Sequence, residues 1–259
     1  MSATKDKWLK YWFLKKYKPL APYVPETRMM TKPAFWNLIS KYRHVIFKPV
    51  RGSRGRGIIQ VSSAGVNTYA LHFENIKIKL QGKENTYNYI QRKVGSTRYM
   101  IQRRVDRPTI GGCPFDMRVI IQRKETSSTW KVTAKLAKVA GRGYVVSNNE
   151  RSKGRLLPVK TAIQKSTIRH LSPQSLQSKI DRISLMSARR LRALFPHHRI
   201  YGLDVGLDLK GHPWIIEANL FPSMSHFLKL KDRTMYRRIM AYKKSVRTQQ
   251  VVNRRPLYY

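Results

Sequence analysis

Gly202-Leu-Asp-Val-Gly-Leu-Asp-Leu-Lys-Gly-His-Pro-Trp-Ile-Ile-Glu-Ala-Asn219 carries more architectural information than any other stretch of the chain. Apolar residues dominate both halves, and Lys210-Gly211 lies between them as a hairpin-type turn. Two antiparallel strands are expected, Ile200 to Leu209 and Pro213 to Ala218. Three of only 13 acidic residues, Asp204, Asp208 and Glu217, fall in this hairpin. Carboxylates flanked by Leu203, Val205, Ile215 and Ile216 are costly if buried alone. A hard cation satisfies them: Mg2+ takes oxygen ligands, usually one or two carboxylates with nucleotide phosphates completing the shell. Glu217 and Asn219 are two apart and share a strand face, and Asp204 on the partner strand is placed to face them. Asp204, Glu217 and Asn219 are therefore the candidate metal ligands. Ion pairing is the competing explanation for any one carboxylate among 53 basic residues, though not for Glu-x-Asn opposite an Asp.

Upstream, Val45-Ile46-Phe47 reads as a short strand and runs into Lys48-Pro-Val-Arg-Gly-Ser-Arg-Gly-Arg-Gly57. Gly52, Gly55 and Gly57 permit positive φ and close backbone approach to a ligand, and amides in such a loop form an anion nest. Lys48 is placed to reach a phosphate as a point charge. The spacing is neither the common P-loop nor the dinucleotide fingerprint, since no Gly-Lys-Ser/Thr follows and the next element reads as a strand. A glycine-rich turn on a basic surface is the plain alternative. Phe115-Asp116-Met117-Arg118 places an Asp and an Arg on one strand face, suited to a ribose hydroxyl and a phosphate, or simply to each other.

Around these motifs the periodicity gives an α+β chain. Helices are expected over Thr31 to Tyr42, Thr86 to Val94, Ser172 to Phe195 and Asp232 to Arg247. In the third, Ser172 is the N-cap, Pro173 opens the first turn, and Leu176, Ile180, Ile183, Leu191 and Leu194 form the apolar stripe. Strands are expected in 57–80, where Tyr69, Leu71, Phe73 and then Ile76, Ile78, Leu80 alternate, and over Tyr99 to Val105, Phe115 to Gln122 and Trp130 to Val139. Pro108 to Pro114 reads as a loop. Residues 1–25 read as a basic, aromatic arm.

The 259 residues hold 53 Lys and Arg against 13 Asp and Glu, a formal net charge of +40. With 41% apolar and 10% aromatic residues this is no disordered basic tail. The excess is spread over 1–50, 151–195 and 224–259, and it argues for a polyanionic neighbour, whether acidic protein, anionic polymer or nucleic acid. A solvated basic surface is the plainer reading. The lone Cys113 makes no internal disulfide, and no Cys/His cluster has zinc spacing. No signal-type or membrane-spanning apolar run is present, so a cytoplasmic protein without a membrane span is expected.

The motifs, taken in order, resemble the ATP-grasp fold, and within it the YheC/YheD family of endospore-coat-associated proteins. The likeness runs from Pro25-Glu-Thr27 through Val45 to Ile58, Phe115 to Val119, Ser147-Asn-Asn149, Gly202 to Asp208 and Ile216 to Asn219. It implies two α+β lobes clamping a nucleotide. Residues 26–228 would form the ATP-grasp domain, with a small lobe at about 45–105 and a large lobe at about 106–228. The arm would lie before it, and a basic helix and tail at 229–259 after it. The residues before Val45 are too few for a full N-terminal substrate lobe. By the same resemblance Lys48 contacts nucleotide phosphates, and Gly52, Ser53, Gly55 and Gly57 form a flap over them. Gln102, Arg103 and Val105 belong to the hinge strand that reads adenine, and Asp116 sits at the ribose. Arg118, Lys138 and Asn148 face the phosphates or the reacting acyl group. ATP and Mg2+ are the implied cofactors. The implied activity is carboxylate–amine ligation through an acyl phosphate, on an acid and an amine left open. A polyanionic or spore-coat-associated substrate is one option, with a mother-cell or spore-coat location. Two stretches depart from the pattern. Arg103 stands where an acidic residue is usual, and Asn148-Asn-Glu-Arg-Ser-Lys-Gly154 replaces Asn-Leu-x-x-Gly-Gly. These departures keep an alternative open, a non-catalytic, ATP-binding structural or nucleic-acid-binding protein.

Overall fold

Alternating apolar positions build the first sheet. The computed structural model describes residues 3–52, 55–144 and 154–244. Within it, β1 (Thr27–Met29), β2 (His44–Pro49), β3 (Ile59–Gly65), β4 (Thr68–Phe73), β5 (Ile76–Gln81) and β6 (Tyr99–Arg103) pair antiparallel in the order β1-β6-β2-β3-β4-β5. One face carries Val45, Phe47, Ile59, Val61, Leu71 and Ile101 into a core with Phe35, Leu38 and Ile90. Those last three come from α2 (Lys32–Tyr42) and α3 (Lys83–Val94). Helix α2 starts where Thr31 accepts the Ala34 N–H at 3.2 Å and Pro33 fills the first turn. Helix α3 begins three residues before Thr86, because the Thr86 hydroxyl turns back onto the Gly82 carbonyl at 2.8 Å inside the first turn. The opposite face of the sheet keeps Lys48 and Gln102.

A second sheet runs β10 (Arg155–Leu157), β9 (Lys131–Val139), β8 (Cys113–Gln122), β11 (Ile200–Leu207), β12 (Pro213–Asn219). Its larger core sets Met117, Val119, Ile121 and Leu203 against α4 (Val159–Gln164) and α5 (Pro173–Leu194). Helix α5 has the expected cap, with Ser172 accepting the Ser175 N–H at 3.3 Å. Its stripe of Leu176, Ile180, Ile183 and Leu191 is buried, and Leu194 is half-buried at the frayed end. On the other face, the even-numbered side chains of β8 divide by position. Asp116 and Arg118 face the first sheet. Ile120 and Gln122 lie under α7 (Thr234–Lys244), preceded by the single turn α6 (Ser225–Leu228). Ile239 of α7 is fully buried there, and its carbonyl accepts from Gln122 at 3.2 Å.

Three segments differ from the sequence reading. The basic arm is not a loose extension: Asp6 caps α1 (Lys7–Lys15), and Leu14, Leu20 and Val24 enter the core of the second sheet. Pro108 to Pro114 is not all loop, since β7 (Thr109–Ile110) folds onto the start of β8 across Gly111-Gly112. The C-terminal helix starts at Thr234, where Asp232 accepts the Thr234 N–H at 2.8 Å, and is described to Lys244. Its expected end at Arg247 lies outside the described residues.

Candidate functional site

Strand register sets the floor of the site. Pairing places Asp116 opposite Lys138 on β9, and Arg118, Asp204 and Glu217 opposite one another across β8, β11 and β12, so two charged rungs, two residues apart on β8, form one patch. Lys138 Nζ lies 2.9 Å from both Asp116 Oδ1 and Asp204 Oδ1. Arg118 grips Asp204 with two bonds, Nε to Oδ1 at 2.8 Å and Nη2 to Oδ2 at 3.1 Å. This planar fork is the strong form of the pair. Asp116 is held in addition by Arg107 Nη1 at 2.9 Å. The expected Asp116–Arg118 partnership is thus divided, each residue taking a partner from another strand or loop. Burial pushes the Asp204 carboxyl up, but Arg118 and Lys138 outweigh it and hold the group well below the usual carboxylate range. Lys138 moves the other way: burial lowers it, and Asp116 and Asp204 more than restore its charge.

Lys48 is the roof. It ends β2, is buried, and donates to Gln102 Oε1 at 2.5 Å. Gln102 Nε2 donates in turn to Thr27 Oγ1 at 2.9 Å. Burial pushes the Lys48 ammonium down to about 8, against an opposing pull from Glu217. The Pro25-Glu-Thr motif acts as a brace for the hinge strand. Thr27 pairs with Gln102, the Glu26 carbonyl accepts the Arg103 N–H at 2.8 Å, and the Glu26 carboxylate receives Lys41, Tyr42 and Arg28. Arg103 lies between two rings, 4.9 Å from Tyr42 and 4.8 Å from Trp214, and Val105 is buried beyond it. The glycine loop leaves β2 beside these groups. Gly57 has φ +71° and a Cβ there would come 2.5 Å from the Tyr99 hydroxyl, so the loop root sits against the start of the hinge strand. Ser53 and Asn148 lie outside the described residues.

Floor and roof meet at a cavity of about 30 Å3 lined by Lys48, Gln102 and Glu217 together with Lys7, Lys10 and Tyr11 of α1. Lys7 Nζ is 3.6 Å from Glu217 Oε1, and the Lys7 N–H donates to the Val50 carbonyl at 3.0 Å. Lys7, Lys10 and Arg107 were not among the expected site residues. The two lysines share a helical face with Tyr11 and Leu14 behind the capping Asp6, a spacing that by itself reads as a solvated basic face, and Arg107 sits in the loop before β7. Asp208 belongs to the turn instead. Its Oδ1 accepts from the Lys210 and His212 N–H groups, both at 2.9 Å, and its Oδ2 from Trp214 Nε1 at 3.0 Å.

A hard cation suits part of this donor set. Among the described residues no three His, Cys, Asp or Glu side chains cluster as a metal site, so the candidate set is two carboxylates and an amide. Glu217 keeps about a quarter of its side chain exposed, and Asn219, on the same face and paired with Gly202, is half-buried at the strand end. Asp204 stays ionised; its Oδ1 already accepts from both Arg118 Nε and Lys138 Nζ, whereas Oδ2, which accepts from Arg118 Nη2, keeps a second lone pair for a cation. All three supply oxygen, the donor that Mg2+ takes.

The sequence profile of the YheC/D-like ATP-grasp family matches residues 2–246. Two curated relatives come from Bacillus subtilis strain 168. Endospore coat-associated protein YheD is 24% identical over 237 residues, covering 86% of this chain and 49% of its own. Endospore coat-associated protein YheC is 22% identical over 236 residues, covering 87% of this chain and 62% of its own. The chain therefore spans about half to three fifths of the length of these relatives. Among solved structures, the ATP-grasp ligase PsnB complexed with minimal precursor aligns at TM-score 0.54 and 14% identity, over 94% of this chain and 62% of that one. D-alanyl-alanine synthetase A from Vibrio cholerae O1 biovar eltor aligns at TM-score 0.53 and 11% identity, over 95% and 65%. At such identities the likeness shows the fold, two α+β lobes of ATP-grasp type. Among the described residues no helix is long and apolar enough to cross a membrane.

Proposed function

The chain belongs to the YheC/D-like ATP-grasp family, and from that premise we propose that it is an ATP- and Mg2+-dependent ligase that activates a carboxylate as an acyl phosphate for attack by an amine. One observation carries the reading: the charged patch on the floor, ending at Glu217, faces the buried Lys48 across a cleft between two sheets. Lys48 would meet the nucleotide phosphates, and the loop from Gly52 to Gly57 would exclude water above them. Asp116 would take the ribose. Asp204, Glu217 and Asn219 would hold Mg2+, which when bound neutralises charge on the transferring phosphoryl group. Arg118 and Lys138 keep Asp204 ionised and present fixed positive charge where negative charge develops. The net charge of +40 extends the proposal to an acidic, polyanionic substrate or support, in keeping with the coat-associated names of the two relatives.

A second reading, nucleotide binding without turnover, draws on one feature: Asp204 already has both oxygens matched by Arg118 and Lys138. Melting curves separate the two. Mg-ATP at 100 times its Kd stabilises by about 2.7 kcal/mol. The ligase reading expects that shift with Mg2+, its loss in Glu217→Ala, and ADP release that depends on an added acid. Equal shifts with and without Mg2+ in both proteins, and no ADP release, establish the binder. No shift at all removes the nucleotide.

A further inference from the structure

Three ammonium groups and one carboxylate, Lys7, Lys10, Lys48 and Glu217, line the cavity between the lobes. The three lysines are only 8%, 5% and 6% exposed. Lysines that deep are rare without a counter-charge, because an uncompensated buried ammonium costs several kcal/mol. Yet among the described residues neither Lys10 nor Lys48 has a carboxylate at ion-pair distance. The Lys10 ammonium donates to the Thr4 carbonyl at 3.1 Å and that of Lys48 to Gln102. Burial lowers the affinity of Lys10 for its proton, with Glu217 only partly opposing.

The lysines cannot easily swing to water. Helix α1 is tied to the first sheet by the Lys7 N–H on Val50 and by Thr27 N–H donating to the Tyr11 hydroxyl at 3.0 Å. It is tied to the second by Leu14 in the core and by Arg190 donating to the Phe13 carbonyl at 3.4 Å. The excess positive charge is thus fixed between the root of the glycine loop and Glu217. The free space suits one or two water-sized atoms. That is room for the oxygens of a phosphoryl or carboxylate group.

We propose that Lys7 and Lys10 of α1, with Lys48, form an oxyanion subsite between the lobes. It takes either the terminal phosphate of the nucleotide or the carboxylate that receives it. The proposal rests on reading this cleft as the nucleotide site, and it adds to that reading the anchoring of the reacting anion by the N-terminal helix.

Calorimetric titration of the full chain at 0.15 M salt tests it with three probes: sodium tripolyphosphate, tetraglutamate and adenosine. Lys7→Gln and Lys10→Met should each weaken one of the anions at least tenfold, Lys7→Arg should restore most of the loss, and adenosine should bind as before. The anion that suffers identifies the occupant. The exposed pair Arg237→Gln and Arg238→Gln should change neither anion at this site. Unchanged anion affinity in both cleft variants, or an equal loss in the surface variant, overturns the subsite. Should a neutral variant not fold, reductive methylation of the unaltered chain reads the same claim. Tripolyphosphate or tetraglutamate must slow labelling of Lys7 and Lys10, and equal labelling overturns it. If adenosine and Mg-ATP do not bind while lysine-dependent anion binding persists, the nucleotide reading falls and the subsite stands. If Mg-ATP binds and both anions ignore Lys7 and Lys10, the reverse holds.

Discussion

Lys48 is under opposite demands. Burial disfavours its charge and lowers its pKa to about 8, whereas a bound phosphate needs the charge. In the unfolded chain the proton stays on to about 10.5, so between about 8 and 10.5 the unfolded state binds more protons and the contribution of Lys48 to stability rises with pH. Ligand affinity runs the other way. Mg-ATP affinity should fall roughly tenfold per unit as pH climbs above about 8, one proton being taken up on binding. In Lys48→Arg the profile should be flat, since a guanidinium does not titrate there. A flat profile in the unaltered protein would place the phosphates away from Lys48. The Arg118–Asp204 pair makes a second residue-scale case. Arg118→Met leaves a buried carboxylate with Lys138 alone, and breaking a buried pair costs about 3 kcal/mol or more. Chemical denaturation should show that loss, and the double change Arg118→Met with Asp204→Leu should recover part of it. Asp204, Glu217 and Lys48 were legible in sequence because scarce acids on apolar strands and a lysine before clustered glycines are unusual. Lys7 and Lys10 were not, because among so many lysines two more on a helix read as solvated surface.

At the scale of elements, the hairpin of β11 and β12 depends on how closely its backbone meets the segment that follows. A Cβ at Gly202 would come 2.4 Å from Pro222 Cβ, and Gly202 is the register partner of Asn219. Proline cannot rotate away, so Gly202→Ala should displace 219–222, cost about 2 kcal/mol as overpacking does, and weaken Mg2+ dependence of nucleotide binding. Gly206→Ala is the matched control. Its Cβ would meet the flexible side chains of Ile216 at 3.4 Å and Arg107 at 3.6 Å, close to ordinary contact, and it should cost under about 1 kcal/mol. Denaturation midpoints of the two variants decide the matter, and equal midpoints would remove the argument. Elements with a period and a cap, such as α2 and α5, were legible from sequence because both signals agree. Helix α1 escaped because its buried face includes two lysines, which a hydrophobic period counts as polar. Strand β7 escaped because two residues are too few to show alternation; only Gly111-Gly112 marks the turn.

Across the whole molecule, charge separates into two populations. Inside the cleft, Arg107, Arg118, Lys138 and Lys7 are matched to Asp116, Asp204 and Glu217. These are only three of the 13 acids, set against four bases, so outside these pairs 49 basic residues still face 10 acidic ones, a balance of 49 − 10 = +39. A polyanion should therefore bind outside the cleft by many weak contacts, each releasing a counterion. For a short DNA duplex used as a probe, affinity should drop about a thousandfold or more between 50 and 200 mM salt, as six or more phosphate contacts dictate. Because the two populations are distinct, Glu217→Ala and saturating Mg-ATP should leave that binding nearly unchanged, whereas the paired change Arg237→Gln with Arg238→Gln should reduce it and its salt slope. Fluorescence anisotropy across a salt series measures all three. Binding that persists near molar salt would point to specific contacts rather than diffuse charge. Competition by Mg-ATP would mean that polyanion and nucleotide share the lysines of the cleft, and the basic exterior would then need another explanation.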